Sequence, residues 1–407
     1  MSALDFSGVL RPEDPELPTG IATESGLRTR ATDELRAALT PHLRDYGITR
    51  VAHLTGFDHV GLPVHMAVKP QGKTLSSGSG KGSTPDASWV SAVMECAEQS
   101  VWENLTIESV AASESIMGRL GVTVIPGSSF PLMKGALWST NLPINWIAGW
   151  DIVAGEEVYV PESLVTVSLL GEGGFKPFVA GSNGLASGAH ILEAVLSGLQ
   201  EVIERDGMTL MTTVTNGTHL LAGDLLREAA PSVAERIERS GLRLEVVDAT
   251  TEIGVPIVVS YLYDVDGGRT GTFKGAGAGT STRTAFVRAV TEAAQARCLI
   301  VAGARDDLFE TERSAGLRTS GGGLRPATEQ ITDPVDAATG SVHGDLDWLV
   351  GKLVAAGFAR VIVIRHTSPG DPVQVARVLV PGLEGYPFSY AQTGERANAY
   401  VKSLEPA

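Results

Sequence analysis

Three stretches of the chain set glutamates at spacings that bring carboxylates together on predicted helices. In residues 181–208, Ile191, Val195, Leu199 and Val202 recur at three- and four-residue intervals, which marks the buried face of a helix. On the same rod, at about 100° per residue, Glu204 falls nearly over Glu193, and Glu201 about a fifth of a turn away. A second helix is expected after Gly78-Ser79-Gly80-Lys81-Gly82-Ser83, with Thr84 as N-cap and Pro85 as its first residue, where a missing amide hydrogen costs nothing. Val90, Val93, Met94, Ala97 and Val101 form its buried stripe, and Glu95 and Glu98 stand three residues apart at the stripe's edge. A third helix, carrying Ala285, Arg288, Ala289, Glu292, Gln295 and Arg297, follows the glycine-rich run 275–279. A glycine loop followed by an acidic helix is thus expected three times. Each acidic face alone could simply be solvated, whereas together they could hold a cation that prefers oxygen ligands.

Other chemistries fail on spacing. Gly72-Lys73-Thr74 ends like a phosphate-binding Gly-x-x-x-x-Gly-Lys-[Ser/Thr] loop, but the position that needs the first glycine is Ala67. Gly275, Gly277 and Gly279 lack the third glycine of a dinucleotide fingerprint, which is Thr280 or Thr282 according to register. His53, His59 and His65 are spaced unlike zinc ligands, and there is no Cys-x-x-Cys, so the histidines read as structural or surface residues. Cys96 and Cys298 read as small buried helix residues, because a nucleophilic thiol needs a lowered pKa and a positioned base.

A formal net charge of -15 argues against a nonspecific partner among nucleic acids or anionic membranes, since phosphate contacts need clustered Lys and Arg. No run approaches the roughly 18 apolar residues of a membrane span. The N-terminus has neither the basic start nor the apolar run of a signal peptide. Two cysteines cannot form a disulfide framework, which points to a reducing cytoplasm. Residues 1–27 read as an extended entry and 32–43 as a short helix. Strands are expected at 50–54 and 60–68, strands and loops over 119–180, and an amphipathic helix at 220–240. Further strands are expected at 242–247, 256–263, 360–364 and 375–380, with a helix at 345–356. The glycine- and threonine-rich segment 304–342, with its Ser-Gly-Gly-Gly at 320–323, reads as mobile. No tandem repeat or sharp composition break is visible. The expectation is one α+β body over residues 28–385 and a tail at 386–407.

The sequence resembles the YcaO proteins, which use ATP to activate peptide backbone amides. The resemblance rests on Gly80-Lys81-Gly82 with Glu95 and Glu98, on the block from Asn183 to Asp206, on Gly277 to Arg297, and on Val380-Pro381-Gly382-Leu383-Glu384. It covers roughly residues 45–385. It implies a single α+β body of mixed sheets packed with helices around a non-P-loop ATP site. The residues matching the family's ATP contacts are Ser79, Lys81, Glu95, Asn183, Glu201, Arg205, Gln295 and Arg297. Those matching its magnesium ligands are Glu95, Glu98, Glu193, Glu201, Glu204 and Glu292. Magnesium bridging carboxylates to phosphate oxygens would neutralise the triphosphate in a chain this acidic. Arg205 and Arg297 are the candidates for direct phosphate contact, and for Arg205 a salt bridge to a neighbouring acid is the alternative.

The implied reaction adds a nucleophile to a backbone amide of a ribosomally made precursor peptide. The resulting hemiorthoamide oxygen takes the γ-phosphate of ATP, and phosphate then leaves. A Cys, Ser or Thr side chain gives an azoline such as a thiazoline, the peptide's amino terminus gives a macroamidine, and external sulfide gives a thioamide. The carboxyl end lacks the Pro-x-Pro-x-Pro tail of many azoline enzymes, so the chain resembles stand-alone YcaO enzymes of the bottromycin type or the TfuA-associated type. Azoline or macroamidine cyclodehydration is the expectation, with thioamide formation beside a TfuA-like partner as the alternative. A scaffold subunit that binds nucleotide with decayed catalysis is the alternative of another class, against which stands retention of the five glutamates on the first two helices. A homodimer is the family's expectation. The chain departs from the family pattern at Ala189, at Ser281 and at Arg365-His366-Thr367, which bears on metal ligation.

Overall fold

The computed structural model describes residues 4–14, 20–167, 176–214, 218–221, 225–264, 271–304, 329–330, 334–386 and 388–403. Two compact units emerge: Met1–Pro18, Val101–Thr215 and Val342–Ala407 form one, and Thr19–Ser100 with Asn216–Ser341 the other. Most of the segment expected to be mobile, including 320–323, lies outside the described residues.

In the unit containing Thr19–Ser100, an antiparallel three-stranded sheet runs in the order Arg50–His53, Val64–Val68, Ser77–Lys81. A five-stranded sheet is ordered Thr272–Ala278, Ile257–Asp264, Leu242–Asp248, Thr218–Leu221, Glu329–Gln330. The Thr282–Val301 helix lies on the first two of these strands. Its Phe286, Val290 and Ala293 join Val246, Val258 and Leu262 in the core of this unit. The Pro85–Glu103 helix begins as its sequence dictates, with the Thr84 hydroxyl accepting from the Ala87 N–H at 3.2 Å.

In the other unit a six-stranded sheet is ordered Val110–Ser113, Pro143–Asp151, Ile362–Arg365, Gln374–Leu379, Leu185–Gly188, and Glu156–Pro161 also pairs with Pro143–Asp151. The Ile191–Val214 helix packs on the last two strands of that order, and the Val342–Ala355 and Glu395–Ser403 helices pack on it. Ile191, Val195, Leu199 and Val202 are all buried, as their spacing predicts. The N-terminal segment is tied down here. Asp5 N–H donates to the Ile152 carbonyl and Trp150 Nε1 to the Asp5 carbonyl, and Arg365 makes a bidentate pair with Asp14 at 2.5 and 2.7 Å.

The glycine runs expected as loops before all three acidic helices contain strands, Ser77–Lys81, Leu185–Gly188 and Thr272–Ala278. Alternate residues of a strand face one way, so Gly78 and Gly80 turn their missing side chains to the Pro85–Glu103 helix. A Cβ on Gly80 would sit 2.1 Å from the Ala92 nitrogen, and one on Gly78 2.7 Å from that of Cys96. Gly275 and Gly277 meet the Thr282–Val301 helix in the same way, at 2.1 Å from the Ala289 oxygen and 2.3 Å from the Ala285 oxygen. Reading glycine as a strand breaker overlooks this use, in which it lets a helix backbone approach a strand.

A second correction concerns residues 220–240, expected as one helix. Thr218–Leu221 is a strand, and the helices Leu225–Ala229 and Pro231–Ser240 are separate. Proline disfavours helical backbone at the residue before it, and Ala230 accordingly has φ −149° and ψ 77°.

Histidines and cysteines serve the packing, as expected. His53 and His65 pair across neighbouring strands and stack at 4.6 Å, and His65 Nδ1 lies 2.7 Å from the Ser88 hydroxyl. Burial, reinforced by His53, pushes His65 down from 6.5 to about 4. A histidine held neutral in the fold gives stability that is intact above its unfolded pKa and is lost as pH falls from 6.5 towards 4. Melting temperatures measured across that interval are expected to fall, and to fall less steeply for His65→Gln. Cys96 is buried, and the Cys298 thiol, buried and near Asp58, is pushed up to about 12 and donates to the Leu54 carbonyl.

Candidate functional site

Chain alternation also places the groups opposite the glycines. In Ser77–Lys81, Ser79 and Lys81 face away from Gly78 and Gly80. They line a polar cavity with Ser91 and Glu95 of the Pro85–Glu103 helix, Lys274 of the Thr272–Ala278 strand, and Glu292 and Gln295 of the Thr282–Val301 helix. Gln295 Nε2 donates to the Ser79 hydroxyl at 3.0 Å. The Lys81 ammonium lies 2.5 Å from Glu292 Oε2. Withdrawal from water pushes the Glu292 carboxyl up, but Lys81, the Ala276 N–H and Arg288 outweigh it and hold the group below its ordinary value.

One contact recurs at three places. Ser77–Lys81, Leu185–Gly188 and Thr272–Ala278 are each the edge strand of a sheet, and an edge strand has backbone N–H groups with no neighbour to bond. Glu95 accepts the Ser79 N–H at 3.2 Å, Glu201 accepts the Gly184 N–H at 3.0 Å, and Glu292 accepts the Ala276 N–H. The sequence separations are 16, 17 and 292 − 276 = 16 residues. Glu95 and Glu292 thus satisfy open-edge amides of the strands they pack on, and Glu201 satisfies the Gly184 amide in the turn that leads into Leu185–Gly188. These amides therefore orient three of the candidate carboxylates.

The remaining candidates sort as follows. Glu98 is half-buried one turn beyond Glu95 and does not line the polar cavity. Arg297 does not line it either. It is 2% exposed, with Nε 3.0 Å from Asp58 and Nη1 3.7 Å from Asp264, and it lies over the Phe273 ring. A buried guanidinium requires paired carboxylates, and Asp58, which the sequence reading passed over, supplies one. In the other unit Glu193 is buried in the first turn of the Ile191–Val214 helix, while Glu204 is half-buried. Arg205 lies 3.2 Å from Glu201, the salt bridge held open as its alternative, and its guanidinium stands 5.7 Å from the centre of the Tyr386 ring. Asn183 and Arg205 line a second cavity, walled mainly by apolar residues.

Lys274 and Ser91 were not legible as cavity residues. Lys274 alternates with Gly275 and Gly277, a pattern that signals a strand face only once that run is known to be a strand. Asp206, at the end of the second motif, is wholly buried. It pairs with Arg396 at 2.9–3.0 Å and accepts the Glu384 N–H at 2.9 Å, so it joins the second motif to the last one. Removing one partner of a buried pair leaves the other charge uncompensated, at about 3–5 kcal/mol. Asp206→Ala is expected to lower stability by that order, measured by urea unfolding. Of the departures from the family pattern, Ser281 is the N-cap of the Thr282–Val301 helix, accepting from Thr284 N–H at 3.1 Å, and Arg365 holds Asp14.

The polar cavity suits a magnesium–triphosphate group. Its donors are hard oxygens on Glu95, Glu292 and Ser79, with two ammonium groups to meet phosphate. The Lys81 ammonium against Glu292 marks a carboxylate already paired with a cation. Among the described residues no three His, Cys, Asp or Glu side chains gather into a metal-holding group. A magnesium ion that arrives on phosphate oxygens needs only one or two carboxylates. No helix among the described residues is long and apolar enough to cross a membrane.

Comparison with known proteins points to the same cofactors. The family model described as YcaO cyclodehydratase, ATP- and Mg2+-binding, matches residues 79–384. An uncharacterized protein encoded in the tfuA 3′ region of Rhizobium leguminosarum bv. trifolii is 33% identical, covering 91% of this chain and 91% of the relative. An uncharacterized protein of Methanothermobacter thermautotrophicus is 29% identical over 87% of this chain and 94% of its own. Among solved structures, YcaO from Methanopyrus kandleri bound with AMPPCP and Mg2+ superposes with a TM-score of 0.70 at 26% identity, covering 90% of this chain and 94% of that one. A heterocyclase in complex with substrate and cofactor shares the fold, with a TM-score of 0.68 at 19% identity, over 90% of this chain and 54% of that one. The mixed α+β fold, its carboxylate-bearing helices and this match over most of the chain make the protein a member of the YcaO family, which binds ATP and Mg2+.

Proposed function

We propose that the protein is an enzyme that uses ATP to O-phosphorylate a backbone amide of a ribosomally made precursor peptide. The observation that carries this reading is the polar cavity in which Lys81, Lys274, Glu95 and Glu292 meet, with the edge-strand amides of Ser79 and Ala276 orienting the two carboxylates. In the proposal Ser79, Lys81 and Gln295 bind phosphate oxygens, with Lys274 added. The proposed magnesium ligands are Glu95, Glu98 and Glu292 in this unit and Glu193, Glu201 and Glu204 in the other. Arg297 acts at one remove, by holding Asp58. ATP supplies a phosphoryl group that turns a poor leaving oxygen into a good one. The chain's own part is to neutralise and orient that group, with little covalent chemistry of its own.

The product depends on the nucleophile. Azoline or macroamidine cyclodehydration is one outcome. Thioamide formation with sulfide and a TfuA-like partner is the other, and the tfuA neighbourhood of a relative aligned over nine-tenths of this chain favours it. A homodimer of a body spanning residues 28–385 is the proposed working form. Mass spectrometry of candidate precursor peptides incubated with the protein, ATP and magnesium, with and without sulfide, tests the reading. Loss of one water marks cyclodehydration, and exchange of oxygen for sulfur marks a thioamide. ATP binding with no peptide-dependent phosphate release, in the presence of the partner and sulfide, leaves a scaffold subunit instead.

A further inference from the structure

The unit that carries the Ile191–Val214 helix holds a cavity that the phosphate chemistry does not require. Phe130, Leu164, Val202 and Leu379 give it apolar walls, and Tyr386 and Phe388 also line it. The rings of Tyr386 and Phe388 stand 4.7 Å apart, and those of Phe388 and Tyr390 stack at 4.8 Å. Alternate residues of one segment thus carry an aromatic strip from the cavity to the exposed Tyr390. The strip is fixed at both ends. The Glu384 carboxylate accepts the N–H groups of Gly394 and Ala397, Lys134 N–H donates to the Tyr390 carbonyl, and Gln392 N–H donates to that of Leu132. A largely pre-formed, mostly apolar hollow with few polar groups is the usual form of a ligand site.

The charged groups around it have partners of their own. Arg205 pairs with Glu201, Arg377 donates to the Gly181 and Asn183 carbonyls while lying over Trp102, and Glu384 holds the strip. The side-chain oxygen Oδ1 of Asn183 is buried and accepts no hydrogen bond. A buried acceptor without a donor is unfavourable, so the occupant that fits brings an N–H together with apolar bulk. An anionic occupant would have to compete with Glu201 for Arg205. These conditions describe an amino-acid residue within a peptide.

We propose that this cavity seats an aromatic or large aliphatic side chain of the substrate peptide, with the residue's backbone N–H donated to Asn183 Oδ1. The proposal rests on the reading of the protein as a peptide-modifying enzyme and adds the sequence preference of that enzyme. Asn183, placed among ATP contacts by resemblance, is reassigned to the peptide.

Saturation-transfer NMR with N-acetyl-phenylalanine N-methylamide, and with the glutamate and alanine counterparts, tests it on the whole protein. The phenylalanine amide is expected to take up saturation strongly and the other two weakly. A Cβ on Gly181, which lines the cavity, would meet no atom within 4 Å, so Gly181→Leu fills the space without a clash and should abolish the signal. Asn183→Ala should weaken binding about fivefold or more. Circular dichroism checks that both variants fold. Equal signals from the three amides, or an unchanged signal in Gly181→Leu, overturn the proposal. Selective binding of the phenylalanine amide by a protein that modifies no peptide keeps the cavity and removes the enzymatic reading. Peptide modification indifferent to apolar flanking residues keeps the enzyme and removes the cavity's role.

Discussion

Gly80→Ala is expected to leave the protein unable to fold under conditions where the parent chain is stable. The new Cβ would lie 2.1 Å from the Ala92 nitrogen and 2.2 Å from the Ser88 oxygen. Both atoms belong to helix backbone, so no side-chain rotation relieves the contact. The strand must part from the helix, and Ser79 and Lys81 would leave the polar cavity with it. Overpacking of this kind costs about 3 kcal/mol or more, a large share of a typical total stability of about 5–15 kcal/mol. Soluble yield and circular-dichroism melting measure the loss. Gly118→Ala is the control. Gly118 sits in the Glu114–Arg119 helix with nothing within 4 Å of an added Cβ. There alanine should stabilise the helix by about 0.5–1 kcal/mol. If Gly80→Ala melts like the parent chain, glycine's service as a close-approach residue is refuted, and with it the physical account of the repeated strand and helix.

The second large effect is on ATP chemistry. Glu292→Ala should reduce peptide-dependent phosphate release by about a hundredfold or more, the scale on which preorganised electrostatic groups act. It deletes a proposed magnesium ligand, the partner of Lys81 and the acceptor of the Ala276 N–H together. Glu292→Gln separates these roles. A glutamine oxygen can still accept the Ala276 N–H but no longer carries the charge that faces Lys81, so the fold should survive while magnesium–ATP affinity falls about tenfold or more. Calorimetric titration of magnesium–ATP reads the affinity and melting reads the fold. Glu235→Gln, at an exposed helix residue paired with Arg239, should change neither. Wild-type affinity in Glu292→Gln would place the nucleotide elsewhere.

How much of this was legible beforehand differs from element to element. The three helices, their buried stripes and their glutamates follow from local periodicity, because a residue's place on a helix face depends on its position in the chain alone. Even the caps at Thr84 and the break before Pro231 obey local backbone rules, though the second was overlooked. The glycine runs were misread because their reason is not local. Nothing near Gly80 in sequence announces the backbone of Ala92 against it, and nothing near Gly275 announces Ala289.

The same distinction governs the site. Residue type and spacing determined an α+β chain whose helix glutamates could serve a hard cation, and the resemblance to the YcaO proteins added ATP, since carboxylates, hydroxyls and ammonium groups carry their chemistry wherever they stand. Only the tertiary structure decided which of them meet. It joined Lys81 to Glu292 across 211 residues, brought Lys274 to the same cavity, buried Arg297 against Asp58, and left Asn183 in an apolar hollow. Pairing of edge strands and packing of helices act between distant segments, and it is their geometry that turns a list of polar residues into a site.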